Sequence, residues 1–168
     1  AYSDRNENYR LWFGFDDYVY YMKLPVDIIN PSKVTEFEYA TSGTHETPWF
    51  NAGQSEVDKL ALKLKVEVQD ASSSETVQVY YSIDYSETYT SLGTITSDGI
   101  TTYTFGSSAG TEFRAIKFKL TLSRASSTAA DKKKTPDVVS LTLEWRKKLA
   151  SKWGHQARIN LNKAYKGK

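Results

Sequence analysis

Leu60-Ala61-Leu62-Lys63-Leu64-Lys65-Val66-Glu67-Val68 carries a large apolar side chain at every second position, with mostly charged residues between. Side chains alternate across a strand, so the pattern predicts a strand over 58–69 with one buried face and one wet face. The wet face holds Lys63, Lys65 and Glu67 rather than aromatics. The same alternation returns at Val77, Val79, Tyr81 and Ile83, at Ile116, Phe118, Leu120 and Leu122, and at Val139, Leu141, Leu143 and Trp145. Four such strands predict an all-β protein, an antiparallel sandwich or barrel. Trp145 closes its apolar series and is expected in the core.

Outward from that strand, turn chemistry divides the chain. Asp70-Ala-Ser-Ser-Ser-Glu75 is a polar turn that returns the chain as a strand over 76–84. Asp98-Gly99 separates short strands expected at 90–96 and 100–105. Gly106–Gly110 reads as a loop, 113–123 as one strand, and Ser126–Pro136, with Lys132-Lys133-Lys134, as a mobile connection. Upstream, Tyr9–Phe15 and Tyr18–Leu24 flank Asp16-Asp17 and predict a hairpin. Pro25 and Pro31 then bracket a connector, because proline cannot donate to a ladder. A strand is expected over Val34–Ala40, displaying Phe37 and Tyr39, and a loop over 41–53. Arg146–Trp153 suits a helical turn ended by Gly154, and Ala157, Ile159 and Leu161 alternate once more. The expected organisation is a hairpin segment over 1–30, the end of a preceding domain, then a sandwich over 31–150 and a basic arm over 151–168.

Composition narrows the chemistry. With no cysteine among 168 residues, neither a disulfide framework nor a thiolate metal site can form. Asn30-Pro31-Ser32 is spoiled as a glycosylation acceptor by its proline, and no other Asn has Ser or Thr two residues on. No apolar run approaches the roughly 18 residues of a membrane helix, so no membrane partner is expected. The first residue is Ala1 rather than Met, which suggests a piece of a longer protein. Net charge is +2, yet residues 1–131 hold 11 Lys/Arg against 18 Asp/Glu while residues 132–168 hold 11 against 2. Such a basic block fits an acidic neighbour or nucleic acid, and equally a lysine-guarded strand edge. Its contact residues would be Arg146, Lys147, Lys148, Lys152, Arg158 and Lys163, with Trp153 and Tyr165 interleaved for base stacking.

Catalysis finds no candidate set. His45 and His155 stand far apart, and there is no metal-ligand spacing and no nucleophile elbow. Asp16, Asp17, Asp84 and Glu87 are conceivable acids, but no spacing singles out a pair. The chain is therefore expected to be non-enzymatic, with no cofactor and no metal. Ser82-Ile-Asp84-Tyr-Ser86-Glu-Thr88-Tyr89 resembles the Asp-box, Ser-x-Asp-x-Gly-x-Thr-Trp, with Ser86 and Tyr89 departing from the pattern. That resemblance implies a hairpin device in which Asp84 accepts backbone amides. A ligand surface is expected at His45, Glu46, Trp49 and Phe50 with Tyr85 and Tyr89, because sugar rings stack on exposed aromatics flanked by polar groups. The competing expectation makes Trp49 and Phe50 a plug on the end of the sandwich, and for Trp49 the plug is favoured.

Thr47–Gly53, the strand to Val68, Val79–Asp84, Phe113–Leu120 and Thr135–Trp145 together resemble β-sandwich modules in long structural proteins of tailed bacteriophages, over about residues 31–148. Such modules are similar in architecture to galactose-binding-like jelly rolls. Arg10–Phe15 with Tyr18–Tyr21 looks like a blade-type hairpin of a preceding propeller-like region. The resemblance implies a jelly-roll-like sandwich in a virion tail or baseplate, holding neighbouring subunits and touching a host-surface glycan through loops. It transfers no site residue. The alternatives are a carbohydrate-binding module of a secreted glycan-degrading enzyme and nucleic-acid contact through the basic arm.

Overall fold

A computed structural model describes residues 2–3, 9–24 and 37–148. Strands β1 (Tyr2–Ser3), β2 (Tyr9–Phe15) and β3 (Tyr18–Leu24) form an antiparallel ribbon in the order β1-β2-β3. Its turn is Asp16-Asp17, with Phe15 paired to Tyr18 and Asp16 at φ 54°. Primed hairpin turns need a positive φ there, and Asp tolerates it.

The remaining strands build two antiparallel sheets. One has the order β4-β10-β6-β7, from Ser42–Glu46, Ile116–Ser123, Thr76–Ile83 and Thr90–Ile95. The other has the order β11-β5-β8, from Asp137–Lys147, Lys59–Gln69 and Gly99–Thr104, and β9 (Thr111–Phe113) pairs with β5 at residues 59–61, beyond the stretch that β8 occupies. Leu64, Val66 and Val68 of β5 meet Val77 and Val79 of β6, Ile95 of β7, and Ile116, Phe118 and Leu120 of β10, with Phe105 and Phe113 between them. Each is essentially removed from water, which stabilises the fold by about 1.5–3 kcal/mol per large side chain. The chain is thus an all-β antiparallel sandwich with a hairpin ahead of it.

Local irregularities overturn several expectations. β11 pairs Glu144 with Lys63 and then Trp145 with Ala61, skipping Leu62. One unpaired residue turns the pleat by one position. Lys59 and Ala61 therefore point inward and are fully buried, while Leu60 and Leu62 are only half-buried. A second shift skips Val139, which is 48% exposed and not core. Trp145 is 36% exposed, because β11 is an edge strand and the ring meets Phe50 at its margin, with centroids 6.0 Å apart. The strand expected over 113–123 is two strands. At Arg114-Ala115 the chain leaves β5 and joins β6, changing sheets. Phe37–Ala40 forms no strand, and the loop expected over 41–53 contains β4. Arg146 and Lys147 continue β11 rather than start a helical turn. The connector after residue 24 and the alternation at 157–161 lie outside the described residues.

Candidate functional site

Alternation along β10 sends Phe118 and Leu120 inward and Lys117, Lys119 and Thr121 to the outer face of the four-stranded sheet. Pairing sets Lys119 between Glu46 of β4 and Tyr80 of β6, and Thr121 between Thr44 and Gln78. Thr47 and Phe50 both bond to β10: the Thr47 amide donates to the Phe118 carbonyl, and the Phe50 amide to the Ile116 carbonyl. Pro48 and Trp49 bridge those two anchor points.

Trp49 lies against Tyr85, centroids 5.0 Å apart. The Lys117 ammonium sits 5.0 Å from the Trp49 ring and 5.0 Å from the Tyr89 ring. Lys119 sits 3.9 Å from Tyr89 and 4.9 Å from Tyr80. The order Trp49, Lys117, Tyr89, Lys119, Tyr80 is a ladder of rings and cations, each cation attracted by the negative ring faces. Glu46 pairs with Lys117 at 3.4 Å. The Tyr89 hydroxyl beside Glu46, and then Lys117, hold that carboxyl below its ordinary value. Burial pushes the Tyr89 phenol up, with Glu46 adding to the shift. Its hydroxyl is shielded from solvent and reaches no partner at good hydrogen-bond geometry, so its approach to Glu46 is a loose one.

Of the six expected ligand residues, four converge: Glu46, Trp49, Tyr85 and Tyr89. His45 is one residue out of phase with Glu46, stands opposite Leu120, and lines the flank near Leu122 and Val138. Phe50 is diverted to Trp145. Trp49 is no plug on the core, since it packs on Tyr85 and Lys117. Lys117, Lys119 and Tyr80 complete the cluster and lie outside the expected set. Their signal was the polar half of the 116–122 alternation, which sequence could read as outward-facing but could not pair with a neighbouring strand.

Asp84 plays the structural part that its motif implied. Its Oδ1 accepts the Arg114 amide at 2.6 Å and the Ala115 amide at 3.3 Å. Ser82 donates to the Ser86 carbonyl at 2.7 Å. Together these bonds pin the hairpin beneath Tyr85 and Tyr89 to the point where the chain changes sheets.

In the basic arm, Arg146 and Lys147 are exposed at the end of β11, while Lys148 is tied to Glu112 at 2.5 Å. Lys152, Arg158 and Lys163 lie outside the described residues.

A second surface belongs to the β2–β3 ribbon. Leu11, Phe13 and Phe15 pair with Met22, Tyr20 and Tyr18 on one face, and Trp12 pairs with Tyr21 on the other. All are exposed, Phe15 to 72% and Val19 to 73%.

No protein-family model matches the chain, and neither a curated protein nor a solved structure matches it.

Proposed function

We propose that the chain is a non-enzymatic structural module of a tailed-bacteriophage tail or baseplate that joins neighbouring β-rich parts of the virion. The observation that carries this is the two-faced aromatic ribbon. An aromatic side chain covers about 150–250 Å² when buried, so the seven large apolar residues on the richer face, left roughly half exposed, present on the order of 700 Å². The largest apolar patch on an ordinary monomer is about 300–600 Å², and a stable interface needs about 800 Å² from each side. A ribbon apolar on both faces has the pattern of strands covered on both sides. An isolated ribbon of this kind is marginal in water, which favours a partner that completes it.

Sedimentation velocity of the whole chain at micromolar concentration tests the proposal. Concentration-dependent association is expected, abolished by the pair Phe13→Lys and Tyr20→Lys with the melting of the sandwich unchanged. A wild-type chain that stays monomeric and binds no apolar dye would refute it. Flanking sequence encoding a propeller and tail-like domains supports the virion assignment, and a flanking catalytic domain supports the appended carbohydrate-binding alternative.

A second role, contact with a surface glycan, is favoured by one further observation. Tyr85 is 57% exposed, rests on Trp49, and borders the outer sheet face, where Thr44, Thr121 and Gln78 stand beside Glu46 and the two lysines.

A further inference from the structure

We infer that the outer face of the four-stranded sheet selects an anionic sugar, a glycan residue bearing a carboxylate or phosphate, with Lys119 as its counter-charge. This rests on the glycan-contact role and adds the ligand class. Two lysines stand on this face and they differ in kind. Lys117 is 9% exposed and ion-paired to Glu46. Lys119 is more open, and among the described residues no carboxylate lies within 4.0 Å of it. Its ammonium is held instead by two ring faces, Tyr89 and Tyr80. Rings attract the cation but accept none of its three N–H bonds in full strength. Lys119 is therefore fixed in position and partly desolvated, and Glu46, its cross-strand neighbour, is ion-paired to Lys117, so two ammonium groups share one carboxylate and the ordering cost of binding a further anion is lowered.

The surroundings match a sugar better than a protein. Thr121 flanks Lys119 along β10, while Gln78 and Ser91 flank Tyr80 across β6 and β7. These are short, neutral donors and acceptors suited to sugar hydroxyls. Protein interfaces are depleted in Lys, Glu and Ser at their centres, and Lys117, Lys119, Glu46 and Ser91 stand here among rings that suit a sugar as well as a protein. The lysines also decide how the rings serve. Tyr80 and Tyr89 spend a face on a cation, so the ring left for stacking is the exposed Tyr85 on Trp49. An oligosaccharide stacked there would run past Lys117 and Tyr89 and bring the anionic group of a neighbouring sugar to Lys119.

Short ligands confine the contact to a few sugar residues, so the amides that shift locate the site. Two-dimensional NMR of the whole chain is titrated with trigalacturonate, with a phosphorylated trisaccharide and with neutral galactotriose. Expected are shifts at the Trp49 indole and at β10 amides, with at least tenfold tighter binding of one anionic sugar than of galactotriose. The tighter of the two anionic arms identifies carboxylate or phosphate as the source. Lys119→Met is expected to erase that preference and Lys119→Arg to keep it, while Lys63→Met on the other sheet leaves it unchanged. Equal affinity for charged and neutral sugars overturns the anionic preference and leaves glycan contact standing. Absence of shifts with all three sugars overturns both. A preference that survives Lys119→Met assigns the charge to another basic site and overturns the role of Lys119.

Discussion

Replacing Lys59 by Met tests the account of the sandwich end most directly. The bulge at Leu62 turns Lys59 inward, where it has no solvent-accessible surface yet lies only one loop below it. Its ammonium donates to the carbonyls of Gln54 at 2.5 Å, Val57 at 2.8 Å and Arg114 at 2.9 Å, so all three protons are used. A bond from a charged donor contributes about 1.5–3 kcal/mol, and desolvating the ammonium costs several kcal/mol in return. Met keeps most of the stem packing but leaves three carbonyls without that donor, and those of the 54–57 loop can recover water. The expected net loss is about 2–4 kcal/mol, a fall in Tm on the order of 10 °C. Urea titration should show a lower midpoint at unchanged m.

A pH series adds a second readout. Burial pushes the Lys59 ammonium below its ordinary 10.5, while Asp58 and Asp84 oppose the shift. Between its folded pKa and 10.5 the unfolded chain binds more protons, so this group makes stability rise with pH across that window. Lys59→Met should remove that rise. A loss below about 1 kcal/mol at neutral pH, too small for three orphaned carbonyls, would refute that role for Lys59.

Three other outcomes are expected. Asp84→Ala releases the amides of Arg114 and Ala115 and should cost about 1–2 kcal/mol by chemical denaturation, with Asp84→Asn milder; equal stability of all three proteins would show that the crossover holds itself. Gly110→Ala should cost roughly 2 kcal/mol, since φ is +90° and the new Cβ would stand 3.0 Å from the Ala61 carbonyl; a neutral result in thermal melts would contradict that backbone. The Tyr89 hydroxyl and Lys117 hold the Glu46 carboxyl below 4.5, so the contribution of its ion pair is present above that value and fades as pH falls through the folded pKa. Trp49 fluorescence should report the change with a midpoint under 4.5, absent in Glu46→Gln, and a midpoint above 4.5 would contradict the pairing.

Sequence by itself determined most of the strands and the tight Asp16-Asp17 hairpin turn, because these depend on neighbours within a few residues; it also marked Asp84 as an acceptor of backbone amides, but those amides, of Arg114 and Ala115, lie about 30 residues away in the chain. Asp16 and Gly99 take positive φ, and period-two alternation specifies a half-buried strand, yet β7 and β8 lie in different sheets, so Asp98-Gly99 turns the chain from one sheet to the other rather than closing a hairpin. Tertiary structure alone decided which positions face which way beyond a bulge and which strands lie side by side. Leu62 and Val139 look like core in any local reading, yet each is skipped by its partner strand, and that skip exists only in the pairing. The ladder from Trp49 to Tyr80 likewise draws on four separate segments of chain, and only the pairing of β10 with β4 and β6 brings Lys119 beside Glu46 and Tyr80. Local periodicity encodes the face of a side chain, whereas register between distant strands encodes its neighbours, and the candidate site is made of neighbours.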